Sequence, residues 1–388
     1  MRLLSQMPES ELSGKRVLLR ADFNVPIKDG KVSDDTRIRE TLPTIEKILN
    51  AGGSLVICSH LGRPKGTPNL KYSLRPASER LSELLGKPVR FFSNPLDNKE
   101  MKPGDILLLQ NTRFFAEEEE NNTLFAGALA RGCDLYINDA FGTAHRAHAS
   151  TAGVAGLLPH AAGLLIEREV HVLSDILKNP EHPLTLVVGG AKMKTKIGVI
   201  ETFLEIADTI LVGGGIANTF LSAKGEKIGD SLFEATEIET AQGILQKAKE
   251  HRCELILPTD IVASKEVTEE ATGKTMITND IAEDEKILDI GPKTAELFAK
   301  KISESKMVVW NGPVGLFEMP NFAQGTKVIA EASAQMNGKA ILGGGDTIEA
   351  IAHFGFTKED FFHLSTGGGA MLEFLEGKTL PGIETLEE

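Results

Sequence analysis

Short apolar runs alternate along the chain with longer segments whose apolar residues recur every three or four positions. The runs are RVLLRADF (16–23), SLVICSH (54–60), DILLLQN (105–111), DLYINDAF (134–141), LTLVVGG (184–190), TILVGGG (209–215), LILP (255–258), MVVWNG (307–312), AILGGG (340–345) and FFHLSTGGG (361–369). They are apolar throughout rather than alternating, which predicts strands buried on both faces of a parallel sheet. Segments such as IRETLPTIEKILNAG and TLFAGALARG between them carry a helical period. Strand–helix alternation predicts an α/β fold. A 388-residue chain exceeds one ordinary core, so two domains are expected. AAGLLIEREVHVLSDILKNP (161–180) reads as a connecting helix closed by Asn179-Pro180. The acid run Glu117–Glu120 reads as a solvated loop.

Composition narrows the function classes. No apolar run reaches the roughly 18 residues of a membrane span. The opening MRLLSQMPESELSGKRV has no apolar stretch of signal-peptide length, so a cytoplasmic protein is expected. Cys58, Cys133 and Cys253 are too few and too widely spaced for a disulfide or zinc framework. A formal net charge of −13 argues against nucleic acid or an anionic membrane as partner. An acidic chain that binds an anion must gather its cations locally. Here 12 of 14 arginines lie at or before position 146. Glycine runs the other way: Gly189-Gly190, Gly213–Gly215, Gly343–Gly345 and Gly367–Gly369 all lie at or after position 189.

Ligands of open parallel sheets sit at the carboxyl ends of strands. In the first half those ends lead into RADFNVP (20–26), HLGRP (60–64), NTRF (111–114) and GTAHRAH (142–148), with DTRIR (35–39) close behind the first. Guanidinium forks from several strand ends match phosphate or carboxylate. His60, His145 and His148 adjoin them as candidate anion contacts, and Arg20, within its strand, is as readily structural. In the second half the ends are glycine turns before helices, where backbone N–H groups can meet a phosphate. Asp346 in GGGDT is either a helix N-cap or a carboxylate for Mg²⁺ on nucleotide phosphates. In VVGGAKMKTKIG (187–198), Ile197, Ile200 and Leu204 predict a helix starting near Lys192. Three lysines in its first turns oppose the macrodipole, which makes sense beside polyphosphate. Lys192 and Lys196 would then share a face at i,i+4, with Lys194 pointing elsewhere.

RADFNVP, SHLGRP, DAFGTAHRAH, GGAKMKTKI, VGGGIANTF, WNGPVGLFE, GGGDT and STGGGA, in this order from about residue 15 to the C-terminus, resemble the bacterial phosphoglycerate kinases. The resemblance implies two Rossmann-like domains, each a parallel sheet flanked by helices, joined by an interdomain helix and hinge. It implies a phosphoglycerate-binding domain over 1–165 plus 374–388, a helix over 166–180 and a nucleotide-binding domain over 181–373. LPGIETLEE would dock back on the first domain. The implied reaction is reversible phosphoryl transfer from 1,3-bisphosphoglycerate to ADP with Mg²⁺, in glycolysis. By matching motifs, phosphoglycerate falls to Asp22, Phe23, Asn24, Arg37, His60, Leu61, Gly62, Arg63, Arg113 and Arg146. Nucleotide falls to Ala191, Lys192, Lys196, Gly213, Gly214, Asn311, Glu318, Gly344, Gly345, Asp346 and Thr347, with Glu318 on the ribose and Asp346 on the metal. Two positions depart from the family pattern: Ile287 stands where other members can have glycine near the adenine, and Gln110 where an acid is commoner. A monomer acting on small molecules, without nucleic acid or membrane, is expected.

A carboxylate acceptor is already ionised at neutral pH, so no general base is expected. Arg37, Lys192, Lys196, Mg²⁺ and the helix N-termini near Gly345 and Gly368 would neutralise the transferring group once the domains close. A dinucleotide-dependent dehydrogenase would need one G-x-G-x-x-G with an acid about 20 residues on, and would leave the lysines idle. A two-lobed anion-binding protein is the non-enzyme alternative.

Overall fold

The computed structural model describes residues 1–94, 101–251 and 253–387; Glu388, in the expected C-terminal docking segment, lies outside them. The chain divides into two compact units, Met1–His171 with Thr379–Glu388, and Val172–Lys378.

The first unit is built on a six-stranded parallel sheet ordered Arg90–Phe92, Ile106–Leu109, Ser54–Cys58, Arg16–Arg20, Leu135–Asn138, His160–Ala162. The second carries another, ordered Glu254–Ile256, Thr209–Val212, Leu184–Val188, Met307–Asn311, Lys339–Gly343, His363–Ser365. In chain order this second sheet runs 3-2-1-4-5-6, the doubly wound order whose switch point lies between its first and fourth strands. The central strands are buried at every position except Arg16, as their apolar runs require. Trp310 sits inside the second core with its indole N–H donating to Gly312 O at 2.8 Å, and Gly312 reaches that position at φ +96°.

Arg90–Phe92 and His160–Ala162 escape the sequence reading because RFF and HAA are short and neither carries a β-branched apolar run. A three-stranded antiparallel sheet, Lys274–Ile277, Asp260–Ser264, Lys286–Ile290, escapes it too. Its edge strand is exposed at all but Met276, so no apolar run marks it. Glu117–Glu120 is not a solvated loop: Ala116–Glu119 is a helical turn and Glu118 is completely buried.

No helix among the described residues is long and apolar enough to cross a membrane. The connecting helix spans Leu164–Lys178. Residues 374–378, expected with the first domain, group with the second unit because Glu376 packs over Gly198, where a Cβ would lie 2.6 Å from its Cδ. From Thr379 the chain packs on the first unit: Gly382 N donates to Ala144 O at 2.8 Å, and Asn138 Nδ2 donates to Gly382 O at 3.2 Å.

Asp139 caps the connecting helix. Its Oδ1 accepts from Leu165 N at 2.8 Å, and an added Cβ at Gly163 would collide with it. Burial pushes its carboxyl up to about 7, against the opposing pull of Thr44, Leu165 and Ile166 donors. A folded protein that holds this proton more tightly than the unfolded chain loses stability as pH rises from about 4 to about 7. Asp139→Asn is therefore expected to change stability little near pH 4. At pH 8 it should stabilise the first unit by roughly 2–4 kcal/mol: about 1.4 kcal/mol for each pH unit of that interval, less the weaker capping. Denaturant unfolding at both pH values checks this, and equal effects at the two would contradict it.

Candidate active site

In the first unit the segments after the strands Arg16–Arg20, Ser54–Cys58 and Ile106–Leu109 are stitched together. Phe23 N donates to Ser59 Oγ at 2.8 Å, Gly62 N to Asn24 Oδ1 at 2.9 Å, and Arg113 Nη1 to Gly62 O at 2.9 Å. Gly62 is at φ +62°, and a Cβ there would collide with the Tyr72 ring. Gln110 completes the frame: its Oε1 accepts from Leu74 N and Asn111 N, and its Nε2 donates to Ser73 Oγ, where an ionised acid could only accept from that hydroxyl.

Arg37 stands in the first turn of the helix Thr36–Asn50, and its Nη1 donates to Asp22 Oδ2 at 2.7 Å. Burial pushes the Asp22 carboxyl up, but the Arg37 and Arg20 guanidiniums and the Asn24 N–H outweigh it and hold it well below the usual carboxylate range. Its stabilising contribution is thus present above about pH 4 and lost only in strong acid. His60 is held well below its ordinary value, first by burial and then by the surrounding arginines, against the pull of Asp22, so it is neutral. Its Nδ1 lies 3.4 Å from Arg20 Nη2; with Nδ1 as acceptor, the ring proton sits on Nε2 as a donor.

Arg113 is buried, and its Nε donates no hydrogen bond, with Glu119 Oε1 3.5 Å away. Burial, and then the fields of Arg20 and Arg146, push its guanidinium down to about 10. These cations are held together against their own repulsion, an arrangement an anion relieves. Arg63 is exposed and makes no ion pair among the described residues. Arg146 Nε donates to His145 Nε2 at 3.1 Å. His148 is pushed down to about 3 and His145 below its ordinary value, by burial first, so at neutral pH neither brings charge to an anion. Phe23 and Leu61 belong to the hydrophobic core, so any contact they make with a ligand is through the backbone. Arg20 is wholly buried and acts beneath the surface.

In the second unit, the glycine-rich turns converge at the switch point. One part of the cleft is lined by Gly189–Lys192, Lys196, Asn311, Gly344–Thr347 and Gly368-Gly369. The adjoining part is apolar, walled by Leu232, Ile287, Leu288, Val314 and Phe317, with Glu318 and Asp346 at its polar border. Gly189 has to be glycine, because a Cβ would collide with Pro313 O across the switch point. Two helices, Gly214–Ala223 and Gly345–His353, begin at this cleft. Asn311 Nδ2 is buried there without a hydrogen-bond partner. Gly213 does not line the cleft; it is the N-cap, and its missing Cβ admits Val314. The Thr347 hydroxyl accepts from Gly312 N at 2.7 Å and braces the turn.

The lysine stretch differs from its predicted form. Met193–Thr195 is a 3₁₀ turn and the α-helix is Ile197–Ile206, so Lys196 is its N-cap and the i,i+4 argument does not apply. The buried Met193 pins the turn instead. Lys192 and Lys196 still line one cleft, while Lys194 lies on a separate surface groove with Glu201 and Glu376. Burial pushes Lys196 down to about 8, and Asp346 acts against that shift. Asp346 is exposed in the first turn of its helix, whose N-cap is Gly344, so capping does not explain it. The apolar wall from Val314 to Phe317 escapes the sequence reading as a binding surface; its signal is the run of apolar residues inside WNGPVGLFE.

A family model described as phosphoglycerate kinase matches residues 7–378. The phosphoglycerate kinase of Finegoldia magna is 45% identical over 390 residues, 98% of each chain. That of Dictyoglomus turgidum is 48% identical over 387 residues, 98% of this chain and 97% of that one. Among solved structures, phosphoglycerate kinase from Coxiella burnetii superposes with a TM-score of 0.90 at 44% identity, covering 99% of this chain and 98% of that one. The Pyrococcus horikoshii enzyme does so with 0.83 at 33%, covering 100% and 98%. With a family match spanning nearly the whole chain and relatives of this identity, the chain belongs to the phosphoglycerate kinase family.

Proposed function

We propose that the chain transfers a phosphoryl group reversibly between 1,3-bisphosphoglycerate and ADP, giving 3-phosphoglycerate and ATP, in glycolysis. Besides the family, one observation supports this most: two anion sites of different chemistry occur in one chain. One is a set of forked cations around Arg37, Arg63, Arg113 and Arg146. The other is a glycine cleft with helix N-termini, two lysines and an apolar slot. The first suits a small acid carrying two anionic groups, and the second a nucleotide. We assign phosphoglycerate to the first unit and nucleotide to the second, with transfer requiring hinge closure.

The residues fit a magnesium nucleotide. Asp346 offers one exposed carboxylate beside the unpartnered Asn311 amide, and among the described residues no group of three or more His, Cys, Asp or Glu could cage a metal alone. Mg²⁺ prefers such a site, one carboxylate plus phosphate oxygens. When bound it would offset phosphate charge. Lys192 and Lys196 neutralise the transferring group from the nucleotide side, and Arg37 does so from the other. No side chain has to remove a proton, because the acceptor is a carboxylate.

Asp346→Asn is expected to weaken Mg–ADP binding by about tenfold, the scale of one charged contact. The affinity for 3-phosphoglycerate should hold within about twofold. Calorimetric titration of each ligand checks this; unchanged Mg–ADP affinity would remove Asp346 from the metal site. The activity itself is tested by following ATP formation from 1,3-bisphosphoglycerate and ADP in a coupled assay. Absence of ATP formation by the folded protein would overturn the reading.

A further inference from the structure

Glu118 is the one member of the Glu117–Glu120 run that is completely buried. Its Oε1 accepts from Ser150 Oγ at 2.5 Å and Thr112 Oγ1 at 3.2 Å, and its Oε2 accepts from Ser150 N at 3.0 Å. Burying a carboxylate is costly unless its oxygens are bonded, and here both are. The bonds lead to the anion crevice by two routes. Ser150 Oγ accepts from Arg20 Nε at 2.7 Å; Arg20 Nη2 lies 3.4 Å from His60 Nδ1, and His60 Nδ1 lies 3.8 Å from Asp22, the partner of Arg37. By the second route, Thr112 opens the turn Thr112–Phe114 that carries Arg113.

We infer that Glu118 is a positioning residue for the phosphoglycerate reaction: through Ser150 and Thr112 it fixes Arg20, His60 and the turn bearing Arg113 in the geometry that receives the anion. The inference rests on the assignment of phosphoglycerate to this crevice. Charge and placement have opposite consequences here, which makes the idea testable. A carboxylate beneath an anion site repels the anion, so removing its charge alone would tighten binding. Removing its placement of the arginines would weaken it.

Ser150→Ala deletes the bridge and leaves Arg20 Nε without its acceptor. Glu118→Gln keeps the shape but puts an amide N–H₂ either against the Ser150 N–H or where an oxygen accepts two hydroxyl donors. For both, the KM for 3-phosphoglycerate is expected to rise by about tenfold, the scale of one lost buried hydrogen bond. The KM for ATP should stay within about twofold, and kcat at saturating substrate should fall less than KM rises. An unchanged or lower KM for 3-phosphoglycerate in folded variants would overturn the inference, a lower one showing that only charge was removed. If Glu118→Gln does not fold, Thr112→Val and Thr112→Ser carry the test. Valine should raise the same KM and serine should restore it; wild-type values in both would overturn the inference. The failure of the underlying assignment reads differently: wild-type protein would then show no saturable dependence on 3-phosphoglycerate at all.

Discussion

Lys196→Ala is expected to lower kcat by about two to three orders of magnitude, the cost of one charged contact that strengthens in the transition state. Lys194→Ala should change it by less than about threefold. The two lysines are two residues apart, and their difference comes from the turn between them. Met193 is buried, the Thr195 hydroxyl donates to Lys192 O at 2.9 Å, and Lys194 N donates to Glu234 Oε2 at 2.9 Å. This holds Lys192 and Lys196 at the glycine cleft and leaves Lys194 on the outer groove. Lys196 Nζ lies 3.5 Å from Asn311 O, beside the unpartnered Asn311 amide. Its value near 8, set by burial, leaves it mostly charged at pH 7, and phosphate nearby would hold the proton more firmly. Steady-state kinetics of the two alanine variants checks this. Similar losses in both would mean that the turn does not separate the lysines functionally.

Arg37→Ala is expected to lower kcat by roughly two to three orders of magnitude, whereas Arg63→Ala should retain kcat within about tenfold and mainly raise the KM for phosphoglycerate. Arg63, exposed and unpaired among the described residues, is free to anchor a phosphate that does not react. An anchor acts alike in ground and transition states, so its loss appears in KM. Arg37 is placed differently: Asp22 holds its Nη1, orienting the remaining fork for a charge that develops during transfer. Lysine should rescue neither, because it lacks the planar fork. The Arg37 variant also leaves the buried Asp22 without its nearest cation, with His60 neutral beside it. Some loss of stability at neutral pH, relieved as acid protonates Asp22, is therefore expected, and kinetics should be read on protein shown to be folded. Equal KM and kcat patterns for the two variants would contradict the division between anchor and transition-state contact.

How much of the molecule is legible in its sequence depends on the feature. The central strands can be read because strands buried on both faces leave unbroken apolar runs such as LTLVV and MVVWN. The arginine crevice can be read because arginine is segregated into one half of an acidic chain. Ile197, Ile200 and Leu204 reveal the helix after Lys196, but not its start. Gly190 at φ +91° and the 3₁₀ turn pinned by Met193 delay it by five residues, and neither has a periodic signature. Glu118 cannot be read at all: one buried carboxylate among four glutamates has no pattern, and its partners lie up to 32 residues away. The neutral state of His60 and His148 is equally hidden, since it comes from burial and from arginines brought in by other segments.

In the proposed function, arginines of the first unit and the glycine cleft of the second bind different ligands independently. Calorimetric titration of ADP into folded Arg37→Ala protein, without phosphoglycerate, tests it most directly. The dissociation constant should stay within about twofold of wild type, a difference below roughly 0.5 kcal/mol. A loss of ADP affinity of tenfold or more would show that the arginine crevice takes part in holding the nucleotide, and that the two sites are not separate.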